Sequence, residues 1–210
     1  MHKKKSFFVS FEGIEGSGKS YHGKKLFKKV KKLKFPAIYS REPGGSKGAE
    51  IIRNLVLIGS KNKFHKITDA LLYLASRNEH IIDTLKPAIK KKKVIICDRF
   101  IDSTEAYQVN GKGISRSLVK NVHKEILNNI KPDLTFVLKV NISKALKRIS
   151  KRKKKNRYDK FTRDFYKKVQ NTFIRISKKN KKRYILLDNT KDSSDVEKII
   201  LKEFIKRFSG

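Results

Sequence analysis

Gly13, Ile14, Glu15, Gly16, Ser17, Gly18, Lys19 and Ser20 carry the clearest chemistry in the chain. Their spacing, G-x-x-x-x-G-K-[ST], is that of a loop that cradles phosphates, the P-loop. Glycines let the backbone turn tightly and aim successive N–H groups at one anion, which also meets the positive end of the following helix. Lys19 is placed to reach the β- and γ-phosphates of a nucleotide, and Ser20 to ligate Mg²⁺. The pattern needs a strand before it and a helix after it. Phe7 to Phe11 is an apolar, β-favouring run of the length of a buried parallel strand. After Lys19, the residues Leu26, Val30 and Leu33 fall three or four apart and give a helix one apolar stripe. An ordinary glycine-rich turn requires neither flank nor the complete Gly/Lys/Ser set. The motif therefore establishes a triphosphate site and leaves the acceptor of the phosphate open.

Further groups that can do chemistry sit where strands end. The short strand Ala37 to Ser40 runs into Arg41-Glu42-Pro43-Gly44-Gly45, and ligands of open α/β sheets bind at the carboxyl ends of strands. Arg41 can hold a phosphate through two parallel bonds, or simply stand in an exposed turn. Val94 to Cys97 delivers Asp98 and Arg99 in the same way. A carboxylate there binds Mg²⁺ directly or through water, and Arg99 beside it can neutralise an acceptor's charge. Asp102 to Gln108 adds polar and aromatic groups next to them. Tyr73 and Arg77 stand four apart on one helix face. An aromatic ring and a guanidinium so placed can stack on a base and bond its edge, but spacing alone reads more simply as a core tyrosine and a surface arginine. Arg148, Lys151, Arg152, Lys153, Lys154, Lys155 and Arg157 form the densest basic run. Such runs are usually solvated, yet in a P-loop kinase one can close over a transferring phosphate and exclude water.

The elements that must position these groups alternate. Helices are predicted at Lys19 to Leu33, Lys47 to Leu57, His65 to Leu85 (where Pro87 follows), Ser115 to Asn128, after a cap at Asn141 or Ser143 with Leu146 and Ile149 inward, Lys160 to Asn180, and Asp192 to Phe208. Strands lie between them, including Leu134 to Leu138 and Tyr184 to Asp188. That order implies a five-stranded parallel sheet covered on both faces, in one α/β domain spanning residues 1–210.

Composition excludes several classes. No apolar run is long enough for a membrane span. The basic start, Met1 to Lys5, precedes an apolar stretch too short for a signal peptide, so a cytoplasmic chain, mature from its first residue, is expected. A single cysteine, Cys97, forbids an internal disulfide, and five scattered histidines offer no zinc cluster. The formal charge of +35 suggests a nucleic-acid partner. However, the lysines are spread over nearly every segment without interleaved aromatic rings, which fits compositional drift on solvated faces, with nucleic-acid adhesion incidental.

Several blocks in order resemble the thymidylate kinases, P-loop enzymes that phosphorylate dTMP with ATP. They are Phe11 to Ser20, Arg41 to Gly45, Tyr73 with Arg77, Asp98-Arg99, Ser103 to Gln108 with Gly111 to Gly113, Pro132 to Thr135 and Leu187 to Thr190. The likeness spans the chain. It implies that Lys19 and Ser20 hold ATP phosphates and Mg²⁺, that Glu15 lies near the acceptor 3′-hydroxyl, and that Arg41 and Arg99 clamp the acceptor phosphate. It also implies that Asp98 organises metal and water, that Tyr73 stacks on thymine while Arg77 bonds its carbonyl edge, and that Tyr107 crowds the sugar's 2′ position. Ser103, Thr104 and Gln108 would complete the dTMP site, with Gln108 on the base. The P-loop lacks an arginine, which implicates Arg148 or Arg152 of a basic lid at about residues 148–158 as the catalytic cation. Departures are Asn156-Arg157-Tyr158-Asp159, where the family often has Asp-Arg and a downstream Glu, and Val109-Asn110-Gly111, where it has a run of glycines. The resemblance further suggests a homodimer packed through helices. The alternatives are another nucleoside monophosphate or deoxynucleoside kinase, and a nucleic-acid-binding P-loop NTPase.

Overall fold

Alternate residues of the first strand face opposite ways, and this divides the core. Phe7, Val9 and Phe11 pack with Leu26, Val30, Ile200 and Phe204, while Phe8 packs with Ile81, Leu85, Ile95 and Phe100. A strand buried on both faces needs apolar residues throughout, and all of Phe7–Glu12 is buried. The computed structural model describes residues 5–60, 62–153, 156–191 and 194–209. The basic start at Met1 to Lys4, the lid lysines Lys154 and Lys155, and the expected helix start at Asp192 lie outside the described residues.

Strands β1 (Phe7–Glu12), β2 (Ala37–Arg41), β3 (Val94–Asp98), β4 (Leu134–Lys139) and β5 (Tyr184–Asp188) form one parallel sheet in the order β2-β3-β1-β4-β5. The register sets Phe11 against Asp98 and Asp98 against Arg41, so the P-loop, the Asp-Arg pair and the Arg41 turn leave from three neighbouring strand ends. Helices α1 (Lys19–Lys32), α2 (Lys47–Leu57), α3 (Lys66–His80), α4 (Lys86–Lys90), α5 (Ile101–Thr104), α6 (Arg116–Leu127), α7 (Ile142–Ser150), α8 (Arg163–Lys179) and α9 (Ser194–Ser209) connect and cover the strands.

Boundaries depart from the sequence reading in three places. Leu33 is the C-cap of α1 and is 49 % exposed, so the buried stripe is Leu26 and Val30 alone. The helix expected to stop at Leu85 continues to Lys90. A wide π-helical turn, Ile81–Leu85, precedes α4 and places Pro87 in its first turn, where proline's missing N–H is tolerated. Conversely, α8 begins only at Arg163, capped by Thr162, because Arg157–Lys160 forms a separate 3₁₀ turn. Of the two proposed caps for α7, Asn141 is the one that accepts a backbone N–H, from Lys144.

Candidate active site

The P-loop is shaped by contacts that only glycine permits. Gly13 has φ 141°, and a Cβ there would lie 2.4 Å from the Leu138 carbonyl oxygen. Gly18, at φ 93°, is the N-cap of α1 and abuts the Asn189 amide. Lys19 is buried and its Nζ donates to the Ile14 carbonyl at 2.7 Å. Burial, helped by the nearby Arg99 charge, pulls its pKa down to about 7. Bound phosphate would reverse that pull. Ser20 Oγ donates to Asp98 Oδ2 across the β1–β3 boundary, and Asp98 Oδ1 is buried with no hydrogen-bond partner among the described residues. A hydroxyl beside a carboxylate with an unused oxygen, next to a phosphate loop, is the donor set of a hard divalent cation that keeps water and phosphate ligands.

Arg99 follows the strand in the left-handed region, φ 75°, held by its own N–H on Phe11 O at 2.9 Å and by Phe100 N–H on Glu12 Oε1 at 2.7 Å. That turn aims the guanidinium back at the P-loop. It donates to Gly13 O at 2.8 Å, Ser103 Oγ at 3.1 Å, Glu15 Oε1 at 2.9 Å and Tyr107 Oη at 3.2 Å. Tyr107 in turn donates to Glu15 Oε2 at 2.5 Å. Burial alone would raise the Glu15 carboxyl, but the Arg99 and Lys19 charges outweigh it and hold the pKa below the usual value. Burial would lower the pKa of Arg99 as well, and the surrounding acidic groups push it up instead. Glu15, Arg99 and Tyr107 therefore form one charged, ordered cluster on the cavity wall.

On α3, Tyr73 and Arg77 both line the cavity. Arg77 is not a surface residue: it is 4 % exposed and fully engaged. Its Nε bonds Glu42 at 2.8 Å, its Nη1 bonds Thr104 Oγ1 and His123 Nε2 at 2.7 Å each, and its Nη2 bonds Phe100 O at 3.1 Å. His80, at 3.0 Å from the other Glu42 oxygen, completes a buried network. Sequence reasoning missed Glu42, His80 and His123, whose roles arise from pairing between distant segments. Arg41 is exposed and held by Glu50 at 3.0–3.1 Å. Gln108 is buried and donates to Tyr158 Oη at 3.3 Å; like Tyr107, it lies in a π-helical segment, Glu105–Gly111.

The basic run does not behave as one surface. Arg148 lies on α7 and donates to Gly16 O at 2.7 Å and Asn189 O at 3.1 Å, bracing the P-loop from behind. Arg152 lies past the end of the helix, borders the cavity and donates to Asp159 at 2.9 Å. Arg157 is 1 % exposed, against the expectation of a solvated cation. Tyr158 and Asn156, absent from the expected site, also line the cavity. Asn189 Nδ2 donates to Ser17 O at 2.8 Å, joining the turn after β5 to the P-loop. Glu15, Lys19, Arg41, Tyr73, Asp98 and Arg99 line one open cleft with Arg152 and Tyr158. The Lys19–Ser20–Asp98 cluster and the rings of Tyr73, Tyr107 and Tyr158 border the same cleft.

Residues 11–200 match the family model described as "Thymidylate kinase". A thymidylate kinase of Mycoplasma capricolum is 38% identical over 202 residues, covering 95% of each chain. That of onion yellows phytoplasma is 38% identical over 196 residues, covering 92% of this chain and 94% of the relative. The crystal structure of thymidylate kinase from Ehrlichia chaffeensis superposes with a TM-score of 0.76 at 30% identity, over 95% of this chain and 99% of that one.

Proposed function

We propose, from the premise that the chain belongs to the thymidylate kinase family and phosphorylates dTMP to dTDP with ATP, a division of labour among its residues. The observation that carries it is that Lys19, Ser20 and Asp98 line the same cleft as Arg41, Arg77, Arg99 and the rings of Tyr73, Tyr107 and Tyr158. Lys19 and the P-loop amides hold the β- and γ-phosphates of ATP. Arg41 and Arg99 hold the acceptor phosphate, Tyr73 stacks on the thymine, Arg77 bonds its edge by exchanging one of its present partners, and Ser103, Thr104 and Gln108 take the remaining polar edges. Tyr107 fills the space a ribose 2′-hydroxyl would need, and Glu15 faces the deoxyribose. An oxygen of the dTMP phosphate then bonds the γ-phosphorus as the bond to the β–γ bridging oxygen breaks, leaving that electron pair on ADP. The protein contributes positioning and charge neutralisation, with no covalent enzyme intermediate.

Ser20 and Asp98 are the residues that would hold Mg²⁺, and the ion, when bound, neutralises phosphate charge. Full turnover in excess chelator would remove it. The chain acts as one catalytic unit, with the basic segment at about residues 148–158 as its lid and Arg152, rather than Arg148, as the cation facing the transferring phosphate. A homodimer is supported by exposed apolar side chains on neighbouring helices, Ile51 and Leu55 from α2 and Ile58 just past its end, with Ile67 and Leu71 from α3. Sedimentation as a monomer at micromolar concentration would rule it out. We propose a cytoplasmic location on the ground of the nucleotide pools the reaction draws on, and fractionation with membranes would contradict it. Coupled ADP release with a panel of monophosphates tests the acceptor. dTMP should give the highest kcat/KM, and a preference for dUMP, CMP or AMP refutes the assignment of the aromatic wall.

A further inference from the structure

Asp69 of α3 and Arg157 of the 3₁₀ turn meet in the interior, each 1 % exposed, with Arg157 Nη2 on Asp69 Oδ1. Lys112 Nζ reaches Asp69 Oδ2 at 2.5 Å, and Tyr158 Oη donates to the same oxygen at 3.4 Å. The Arg157 guanidinium lies 5.9 Å from the Phe64 ring and 5.6 Å from that of Tyr158. One carboxylate thus ties together α3, the segment that follows the Glu105–Gly111 turn, and the turn that follows the basic run.

Stability alone does not explain such a cluster. Removing two charges from water costs about as much as their attraction returns, and apolar replacements of similar volume are often neutral or better. Nε and Nη1 of Arg157 also have no hydrogen-bond partner among the described residues, a further cost. What the pair provides is a single register, and the neighbouring residues show what that register sets. Tyr158 stands edge-on to Tyr73 at 6.0 Å and to Tyr107 at 5.5 Å, and receives Gln108. Asp159 receives Arg152 Nη1 at 2.9 Å and caps the turn by accepting from Asn156 N–H. Moving Arg157 would shift the wall of the acceptor pocket and the residue that holds Arg152.

We infer that Asp69 and Arg157 are positioning residues, an internal anchor that pins the carboxyl-terminal end of the basic segment to α3. It fixes Tyr158 opposite Tyr73 and presents Arg152 to the cleft. The inference deepens the proposed function and rests on it. Two variants test it. Asp69→Leu/Arg157→Met removes both charges of the pair together, and Lys112, whose side chain is 11% exposed and whose pKa burial already pulls down to about 8, can shed its proton when Asp69 goes. Arg157→Lys keeps a cation for Asp69 but loses the planar fork. Melting temperature, dTMP and ATP kinetics, and tryptic cleavage after Arg152 and Lys153 without substrate, mapped by mass spectrometry, are measured for both.

The double variant is expected to melt near the wild type, to lose at least about tenfold in kcat, to raise the dTMP KM by about as much with ATP KM within about threefold, and to be cleaved at least about tenfold faster. Arg157→Lys should fall between it and the wild type. A folded double variant with wild-type kinetics and cleavage overturns the anchor. If the double variant does not fold, Arg157→Lys decides: wild-type behaviour overturns the anchor, and the same directions of change support it. Cleavage needs no substrate, so a failure of the dTMP assignment is distinguishable from a failure of the anchor.

Discussion

Replacing Arg99 by alanine removes four hydrogen bonds at once, to Gly13, Ser103, Glu15 and Tyr107. A charge-assisted bond contributes about 1.5–3 kcal/mol, and a guanidinium can give a phosphate two. In the free protein, however, the same N–H groups are occupied by Glu15 and Tyr107, so acceptor binding exchanges partners rather than creating them. The lower end of the range applies, about 3 kcal/mol for two bonds. That corresponds to about 150-fold in kcat/KM for dTMP. ATP should be affected in the opposite sense if at all, since Arg99 is one cause of the lowered Lys19 pKa. Stability also falls, because Glu15, with 12% of its side chain exposed, loses its principal partner. A cost of about 1–3 kcal/mol is expected, or about 2–4 °C in melting temperature per kcal/mol at this chain length. Initial rates at varied dTMP and saturating ATP, with a melting curve, measure both effects. Arg99→Lys, which keeps the charge, should recover stability more than catalysis. A folded Arg99→Ala protein with dTMP kcat/KM within about threefold of wild type would refute the clamp.

Arg152→Ala should lower kcat by about 10²–10³-fold with little change in dTMP KM, the pattern of a group that acts on transition-state charge. Arg148→Ala should chiefly raise the ATP KM, because Arg148 braces Gly16 and Asn189; kinetics showing the reverse order would exchange the two roles. Burial, with the Asp102 charge added, raises the Glu12 carboxyl from 4.5 to about 8. A group that binds its proton more tightly when folded contributes stability that is complete below its unfolded pKa and lost as pH rises through the folded one. The uncharged Glu12→Gln should therefore gain in melting temperature relative to wild type between about pH 5 and pH 9. A constant gap across that range would contradict the assignment.

What the sequence made legible was local. A strand followed by its own ligand-bearing turn is contiguous, so the P-loop, Arg41 and Asp98-Arg99 could be located, and the register of β1, β2 and β3 then brings them together. Groups defined by distant pairing left no such mark. Arg157 sits in a run of lysines and so reads as solvated, and only the fold supplies Asp69 as its partner, a carboxylate that Lys112 shares. Arg77 has the same spacing whether it faces water or, as found, Glu42 and His123. Arg148 and Arg152, four apart, would share a face if the helix continued. It ends at Ser150, and that ending sends one to the P-loop and the other to the cleft. The π-helical turns arise from a shift in backbone pairing that no residue pattern announces.

The most direct test is a crystal structure with dTMP and a non-hydrolysable ATP analogue. The arrangement predicts the dTMP phosphate between Arg41 and Arg99, thymine on Tyr73 and within reach of Arg77, the γ-phosphate at Lys19, and Arg152 facing the gap between the two phosphates. A dTMP molecule seated away from Arg99 and Tyr73, or an Arg152 directed out of the cleft in the closed complex, would contradict it.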